Sequence, residues 1–177
     1  MKGVIFNVVE EVVTQNLGED TWDNLLVMAD LDGSYTSLGS YPDAELLKIV
    51  AVASDVLATP VDQLLRSLGA DAIPHLYKRF PHFFDNTSDG KTFILSLNTI
   101  IHPEVRKLYA GASCPHFHFT EGEDRLSLGY NSPRKLCHLA HGFIDGLARH
   151  YRETIVVEQP KCMHNGDAMC QLELIWK

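Results

Sequence analysis

His102 is the first residue whose type and position suggest chemistry. It follows an apolar stretch that contains Phe93, Ile94, Leu97 and Ile100. A histidine near the end of an apolar helix is usually a structural residue, but a neutral imidazole in such surroundings is also a good metal ligand. The position alone leaves both interpretations open.

A second group of polar side chains lies further along the chain, in Tyr130-Asn131-Ser132-Pro133-Arg134. An arginine fork suits a carboxylate, and the start of the following helix adds exposed amides and a positive dipole. Ser132 as a helix cap, with Pro133 in the first position of that helix, explains the same pattern, and the two interpretations are compatible. Haem needs an imidazole on iron, an apolar slot and donors for two carboxylates. His102 and this motif together could meet these needs, so a haem site is one interpretation beside the purely structural one.

Cys137, Cys162, His164 and Cys170 form the third group. Thiolates and an imidazole suit tetrahedral zinc, whereas reduced cysteines in a strand core, with His164 in a polar turn, are the plainer alternative. A zinc or thiol redox sensor, or a zinc-dependent enzyme, is accordingly the rival function. No HExxH or similar motif supports the enzyme.

The elements that must position these residues divide the chain into a helical part, about residues 1–100, and an α+β part, about residues 101–177. Helical spacing predicts helices from Val4 to Gly18, from Thr21, from Pro42, from a Thr59-Pro60 start to Gly69, and through Phe93 to Ile100, with a loop at 80–90. Alternation predicts strands near 116–119, 125–128, 154–157 and 170–175, and a long amphipathic helix runs through Leu136 to Leu147. We expect a single α+β domain over residues 1–177.

Two other pairs of histidines are assigned from the same patterns. His138 and His141 lie opposite the apolar stripe of the long helix and are predicted to be solvated. His116 and His118 alternate with phenylalanines, which predicts one polar face of a strand.

Composition limits the class of protein. With 45% hydrophobic and 21% charged residues, the 177-residue chain has the composition of a soluble globular domain. No stretch approaches the roughly 20 apolar residues of a membrane helix, and the first residues do not have the longer apolar region and small-residue cleavage site expected of a signal peptide. The net charge of −8 argues against a nucleic-acid surface, and four cysteines in such a chain are expected to be reduced or metal-bound. We therefore expect a cytoplasmic protein with neither a membrane nor a nucleic acid as partner.

Several of these segments resemble the H-NOX (haem nitric oxide/oxygen binding) family, in its bacterial stand-alone form, which is related to the haem domain of soluble guanylate cyclase. They span essentially the whole chain in the family's order: Met1 to Asn7, Gly18 to Trp22, His102 to Tyr109, Pro115, and Tyr-x-Ser-x-Arg at Tyr130, Ser132 and Arg134. The resemblance implies the H-NOX fold, in which a helical N-terminal half packs on a C-terminal half with a small antiparallel sheet and long helices, and haem lies between them.

The same resemblance implies haem b with His102 as its proximal ligand. Tyr130, Ser132 and Arg134 would hold the propionates. Ile5 and Pro115 would pack on the porphyrin and help to keep it out of plane.

The family's oxygen-binding members resemble one another in a distal tyrosine, whose position here is Leu139. The companion positions are Val9 and Ala72, and none of the three side chains can donate a hydrogen bond. Bound oxygen needs such a donor, whereas NO does not. The resemblance therefore implies NO sensing, with CO tolerated and oxygen excluded. His75 lies near the same side, and a distal histidine there would make the haem six-coordinate.

Some bacterial H-NOX proteins also resemble this chain in three cysteines, which together with one histidine form a structural zinc site. That histidine lies three residues before the cysteine that matches Cys162, and this chain has Gln159 there. A fourth ligand would have to come from His164 or His138.

The resemblance finally implies a mechanism without an enzymatic step in this chain. NO on ferrous haem weakens the iron–His102 bond, the helix that holds His102 is freed, and the two halves shift. Because no catalytic domain follows the last predicted strand, we expect the output to act in trans. The family's partners are a histidine kinase or a cyclic-di-GMP enzyme (diguanylate cyclase or phosphodiesterase).

Overall fold

Helices make up the first part of the chain, and a four-stranded antiparallel sheet dominates the second. The computed structural model describes all residues, 1–177. The helices are α1 (Gly3–Leu17), α2 (Glu19–Met28), α3 (Asp43–Leu57), α4 (Val61–Arg79), α5 (Pro81–Asp85), α6 (Gly90–Ser96), α7 (His102–Leu108) and α8 (Cys137–Tyr151). The strands are β1 (His116–Glu121), β2 (Arg125–Asn131), β3 (Ile155–Lys161) and β4 (Cys170–Trp176). The predicted α+β class is confirmed. None of the helices combines the length and apolar character needed to cross a membrane.

Helix α1 begins without a side-chain cap, and a loop satisfies its first amides instead. The Gly3 and Val4 amides donate to the carbonyl oxygens of Gly39 and Ser37, at 3.0 and 3.1 Å. At the other end Gly18 has φ of +93°, a conformation that glycine adopts without strain, so α1 stops where the sequence predicted.

Helix α4 is longer than the sequence predicted. Its expected end at Gly69 is wrong, since the helix continues to Arg79. Gly69 is required for packing, because a Cβ atom there would lie 2.4 Å from the carbonyl oxygen of Leu139. The expected start is also wrong: Pro60 lies just before the helix, and the Thr59 hydroxyl does not cap it but donates to the Leu57 carbonyl.

The predicted loop at 80–90 contains a short helix, α5. The buried rings of Phe83 and Phe84 anchor it in the core. Two adjacent aromatic residues supply enough apolar area to fix a five-residue helix that has no periodicity of its own.

His102 lies inside a longer helical run than expected, and it begins a helix rather than ending one. Helix α6 is capped by Asp89, whose Oδ1 accepts from the Thr92 amide at 2.7 Å. A π-helical turn, Leu97–Ile101, then leads directly into α7.

Helix α8 begins later than the sequence predicted. Cys137 is its first residue, so Ser132 does not cap it and Pro133 does not occupy its first turn. The expectation failed because the peptide after β2 forms a separate turn, closed by the Lys135 amide, which donates to the Ser132 carbonyl at 3.0 Å.

The strands are ordered β1-β2-β4-β3. Tyr130 on β2 lies opposite Phe117 on β1 and Cys170 on β4. Leucines at alternate positions of the two central strands form the centre of the larger core, at Leu126, Leu128, Leu172 and Leu174.

Helices α4 and α8 are in direct backbone contact. A Cβ atom at Gly142 would lie 2.0 Å from the Arg66 carbonyl oxygen, and one at Gly146 would lie 2.6 Å from that of Ala70. These glycines allow the two axes to approach more closely than any side chain would permit.

His141 lies beside this contact, and the expectation that it is solvated is wrong. It is 9% exposed, and its Nε2 is 3.9 Å from Asp145 Oδ1, too far for a hydrogen bond. Burial, followed by the charge of Arg66, lowers the pKa of His141, while Asp145 acts in the opposite direction. The folded protein therefore keeps this imidazole neutral.

This predicts a loss of stability in acid. As the pH falls below about 6.5, His141 binds a proton in the unfolded chain but not in the folded chain. The free energy of unfolding therefore falls, by up to about 1.4 kcal/mol per pH unit. Urea unfolding between pH 7.5 and pH 5 should therefore show a shallower pH dependence for His141→Gln than for the natural chain. The exposed His118→Gln is the matched control and should keep the natural slope. Equal slopes in all three proteins would contradict the prediction.

Candidate functional site

His102 is a mostly buried imidazole without a hydrogen-bond partner at Nδ1. Its ring centroid is 5.8 Å from that of Phe117. Burial, and then the charge of Arg106, lower the pKa of His102 to about 4, against a smaller opposing effect of the Pro115 carbonyl. The imidazole is therefore neutral at neutral pH, which is the form that binds a metal ion.

Tyr130 and Ser132 come together at the end of β2, and both are buried, with exposures of 3% and 6%. The Tyr130 hydroxyl oxygen accepts from the Leu136 amide at 3.0 Å. Burial raises the pKa of Tyr130, so its hydroxyl keeps its proton and can donate it. Ser132 Oγ accepts from the Arg134 amide at 3.3 Å. The motif that the sequence singled out is thus one compact group of donors.

Arg134 joins this group to helix α3 and to the segment before β1. Its Nε donates to Asp43 Oδ2 at 2.6 Å, and its Nη1 donates to the Ser113 carbonyl at 2.7 Å. Asp43 also pairs with the amino group of Met1, at 2.7 Å. Burial alone would raise the pKa of Asp43, but these two cations outweigh it and lower the pKa. The Nη2 group of Arg134 remains available for a second carboxylate.

Sequence reasoning missed Asp43 as part of this site, since an acid in the first turn of a helix is explained by the helix dipole. Ser113 contributes only a backbone carbonyl, which no sequence signal reveals.

The apolar residues predicted to face haem do not all lie together. Val9 and Leu139 belong to one buried cluster, and Ile5 packs against it. Ala72 lies in a separate small cluster with Val8 and Val12. Pro115 lies beside His102.

His75 is engaged with the protein itself. Its Nδ1 donates to Glu11 Oε2 at 2.9 Å, and Arg79 binds the other oxygen of the same carboxylate. These contacts with Glu11 tie α4 to α1 along a polar groove. His75 therefore has a structural partner.

Cys137, Cys162 and Cys170 are all buried, and their sulfur atoms lie within 4.8 Å of one another. The sulfurs of Cys137 and Cys162 are 3.8 Å apart. Burial raises the pKa of Cys137 to about 12, so without a cation this thiol is protonated. The three sulfurs thus converge as soft ligands, and no cationic side chain is among them to stabilise a thiolate.

Gln159 reaches into this thiol cluster, but His164 does not. The Gln159 side chain contacts Cys137, and its Nε2 is buried without a partner. His164 comes close to Cys137 and His138 only, and its Nε2 donates to the Lys135 carbonyl at 2.8 Å. The predicted set of Cys137, Cys162, His164 and Cys170 is therefore assembled only in its three cysteines.

Comparison with known proteins identifies the fold and the family. The chain matches the family described as Haem-NO-binding over residues 2–159. The chain belongs to this family, the H-NOX proteins. Its members are haem-based gas-sensing domains rather than enzymes. No curated protein matches the chain.

Solved H-NOX structures superpose over the whole chain. An H-NOX protein from Shewanella oneidensis in the Fe(II)NO ligation state is 32% identical, with a TM-score of 0.95, and the alignment covers 100% of this chain and 99% of that one. An NMR structure of an H-NOX domain from Shewanella oneidensis in the Fe(II)CO ligation state gives 32% identity and a TM-score of 0.92, with the same coverage. A mutant H-NOX protein from K. algicida, in the unliganded Fe(II) state, is 25% identical, with a TM-score of 0.89, covering 100% of this chain and 97% of that one.

The residues of this H-NOX chain fit the haem that its family binds. His102 offers a neutral imidazole with an unpartnered nitrogen, and the motif at Tyr130 offers donors for carboxylates. The histidine and the donors come from different elements, α7 and the end of β2, as a ligand with an iron centre and peripheral carboxylates requires.

Proposed function

We propose that the whole chain is one haem-binding domain that senses NO and regulates a separate signalling protein, a histidine kinase or a cyclic-di-GMP enzyme. The observation that carries the haem assignment is His102, a mostly buried imidazole that burial keeps neutral and whose buried Nδ1 makes no hydrogen bond within the protein. The expectation of a reducing, cytoplasmic setting is supported by four free cysteines, of which three are buried together.

Haem b, when bound, supplies the ferrous iron on which the gas ligand binds. His102 would hold the iron, and Pro115 and Ile5 would line the ring. Tyr130, Ser132 and Arg134 would bind the propionates through their hydroxyl and guanidinium donors. The support for this is that Tyr130 keeps its proton and Arg134 keeps Nη2 available.

The apolar character of the distal residues favours NO over oxygen. Val9, Ala72 and Leu139 carry no donor, and the first and last of these lie in one apolar cluster. Two tyrosines that pack against this cluster are already engaged: the Tyr35 hydroxyl donates to Glu45 at 2.8 Å, and that of Tyr41 donates to the Ser34 carbonyl at 3.0 Å. Bound oxygen would therefore lack the hydrogen bond it requires, whereas NO and CO do not depend on one.

Transmission of the signal begins at His102, the first residue of α7. A bond from His102 to the iron would anchor α7 and the turn before it, so a weaker bond would free both elements to move. Arg134 would provide a second route, because it pairs with Asp43 at the start of α3 and would also bind a propionate. A partner protein responds only if it binds the two resulting states with different affinity. The relatives' NO and CO ligation states support the choice of gas ligands.

Absorption spectra of the ferrous protein test this proposal. We expect a five-coordinate ferrous haem that air does not convert into an oxygen complex and that NO converts into a five-coordinate nitrosyl species. His102→Gly should lose the proximal bond, and added imidazole should restore it by occupying the vacated space.

The matched control is His118→Gly, on an exposed position of β1, which should leave every spectrum unchanged. A protein that takes up no haem, or a His102→Gly variant with the natural ferrous spectrum, would contradict the assignment of His102.

The distal assignment predicts the effect of a single hydroxyl group. Leu139→Tyr should produce an oxygen complex, with roughly tenfold to hundredfold higher oxygen affinity, because a donor then faces a partly negative ligand. Leu139→Phe adds a ring of nearly the same size without the hydroxyl and should leave oxygen excluded. Oxygen titration of the two variants separates the effect of the hydrogen bond from that of size. Equal oxygen affinities would place Leu139 away from the gas ligand.

Zinc binding at the thiol cluster is a second candidate function. Three converging sulfurs favour it, as does the Met163 amide, which donates to Cys170 Sγ at 3.2 Å and would stabilise a thiolate there. Zinc lowers the pKa of its thiol ligands and would supply the missing positive charge. Gln159 occupies the place of the family's fourth ligand, and an amide is a poorer zinc ligand than an imidazole.

Zinc content should follow from this arrangement. Protein purified without chelator should contain zinc, Cys162→Ser should lose it, and Gln159→His should hold it longer against a chelator, because an imidazole completes the tetrahedron. Cys114→Ser, outside the cluster, is the control and should keep the natural content. Metal analysis by mass spectrometry measures all four proteins. If the natural chain and Cys162→Ser are equally free of zinc, the cluster is a set of reduced core thiols.

A further inference from the structure

Strand β1 lies at the edge of the sheet, and one side chain forms hydrogen bonds with backbone groups on its free side. The Nδ2 of Asn98 donates to the Phe117 carbonyl at 2.7 Å, and the Phe117 amide donates to Asn98 Oδ1 at 3.1 Å. In an antiparallel strand the N–H and C=O of one residue point to the same side. The amide of Asn98 thus takes the place that a neighbouring strand would have. We call this pair of hydrogen bonds the edge clamp.

Asn98 belongs to the π turn that leads into His102. The His102 amide itself donates to the Leu97 carbonyl, five residues earlier, which defines the wide turn. The sequence gives a physical reason for the widening. In a regular α-helix the ring of Pro103 would clash with the carbonyl of Thr99, four residues before it. A wide turn at this place avoids the clash.

The direction of His102 depends on this turn. Each residue of an α-helix turns the chain by about 100°, so a return from the π turn to a regular register would rotate His102 by a comparable angle. The edge clamp fixes the π turn to β1. The ring of Phe117, whose backbone the clamp holds, lies beside both His102 and Tyr130, at centroid distances of 5.8 and 6.0 Å.

We propose that Asn98 is a positioning residue for His102, and that the edge clamp sets how readily His102 leaves the iron. Asn98 fixes both the wide turn before His102 and the aromatic ring beside it. The imidazole can therefore move away from the iron only if the two hydrogen bonds of the edge clamp break or the turn changes register. The proposal rests on the assignment of His102 as the haem ligand in the proposed function.

Two variants separate the parts of the clamp. Asn98→Ala removes both hydrogen bonds. Asn98→Asp keeps an acceptor for the Phe117 amide but brings a carboxylate oxygen against the Phe117 carbonyl, so it retains one bond and loses the other. Thr99→Ala is the control, because Thr99 is an exposed neighbour in the same π turn.

Three measurements on the haem-loaded protein report on the clamp and on His102. The exchange rate of the Phe117 amide proton in the Fe(II)CO state reports on the clamp itself. The iron–histidine stretching frequency of the ferrous protein reports on the proximal bond. The ratio of five- to six-coordinate haem at limiting NO reports on the release of His102.

Asn98→Ala should speed exchange of the Phe117 amide about tenfold or more, since a net hydrogen bond contributes roughly one power of ten to a local equilibrium. It should also shift the iron–histidine frequency and change the ratio of coordination states. Asn98→Asp, in which two oxygens repel each other, should also speed exchange of the Phe117 amide relative to the natural chain, and Thr99→Ala should match the natural chain in all three measurements.

The proposal is overturned if Asn98→Ala speeds amide exchange but leaves the iron–histidine frequency and the coordination ratio unchanged, because the clamp is then purely structural. If Asn98→Ala retains no haem, the same comparison is made with Asn98→Asp. Failure of the proposed function gives a different result: the His102→Gly variant then shows the natural ferrous spectrum and iron–ligand frequency, whatever the Asn98 variants do.

Discussion

The contact between helices α4 and α8 is the constraint on which the rest of the structure depends. Glycines at 69, 142 and 146 bring two backbones together where no side chain would fit. This fixes α8 between the apolar clusters of the helical part and the sheet. The start of α8 in turn limits where the turn after β2 can lie, and that turn carries Ser132 and Arg134. The position of the donor group is therefore a consequence of helix packing as much as of its own hydrogen bonds.

The two sides of the proposed haem site differ in their charge. At His102 the protein removes charge, since burial and Arg106 keep the imidazole neutral. Around Arg134 several charged groups lie together, because the guanidinium and the Met1 amino group both pair with the carboxylate of Asp43. A ligand with an iron centre and anionic edges requires both environments within one molecule. Different elements provide them, so a change at one can be transmitted to the other only through the fold.

The thiol cluster and the proposed propionate donors share the same part of the sheet. Tyr130 lies opposite Cys170 in the register of β2 and β4, and Cys137 begins the helix that follows Arg134. The thiols and the proposed donors are therefore joined by a short stretch of backbone. Gln159 lies beside Cys137. At this fourth position the chain departs from the pattern of three cysteines and one histidine.

The sequence determined the class of fold, the family and the order of the elements, because apolar periodicity and the Tyr-x-Ser-x-Arg spacing are local properties that a chain carries with it. It also predicts that His102 and the motif of Tyr130, Ser132 and Arg134 hold haem, and this stays a prediction. Its predictions are wrong where contacts between distant segments decide the structure. Gly69 does not end a helix but allows the close approach of α8, and His141 is not a surface residue because it lies beside the contact of α8 with α4. Asp43, the edge clamp at Asn98 and the separation of His164 from the three thiols were settled only by tertiary structure. Each depends on a partner far away in the chain, and no local pattern of residue types records the distance between them.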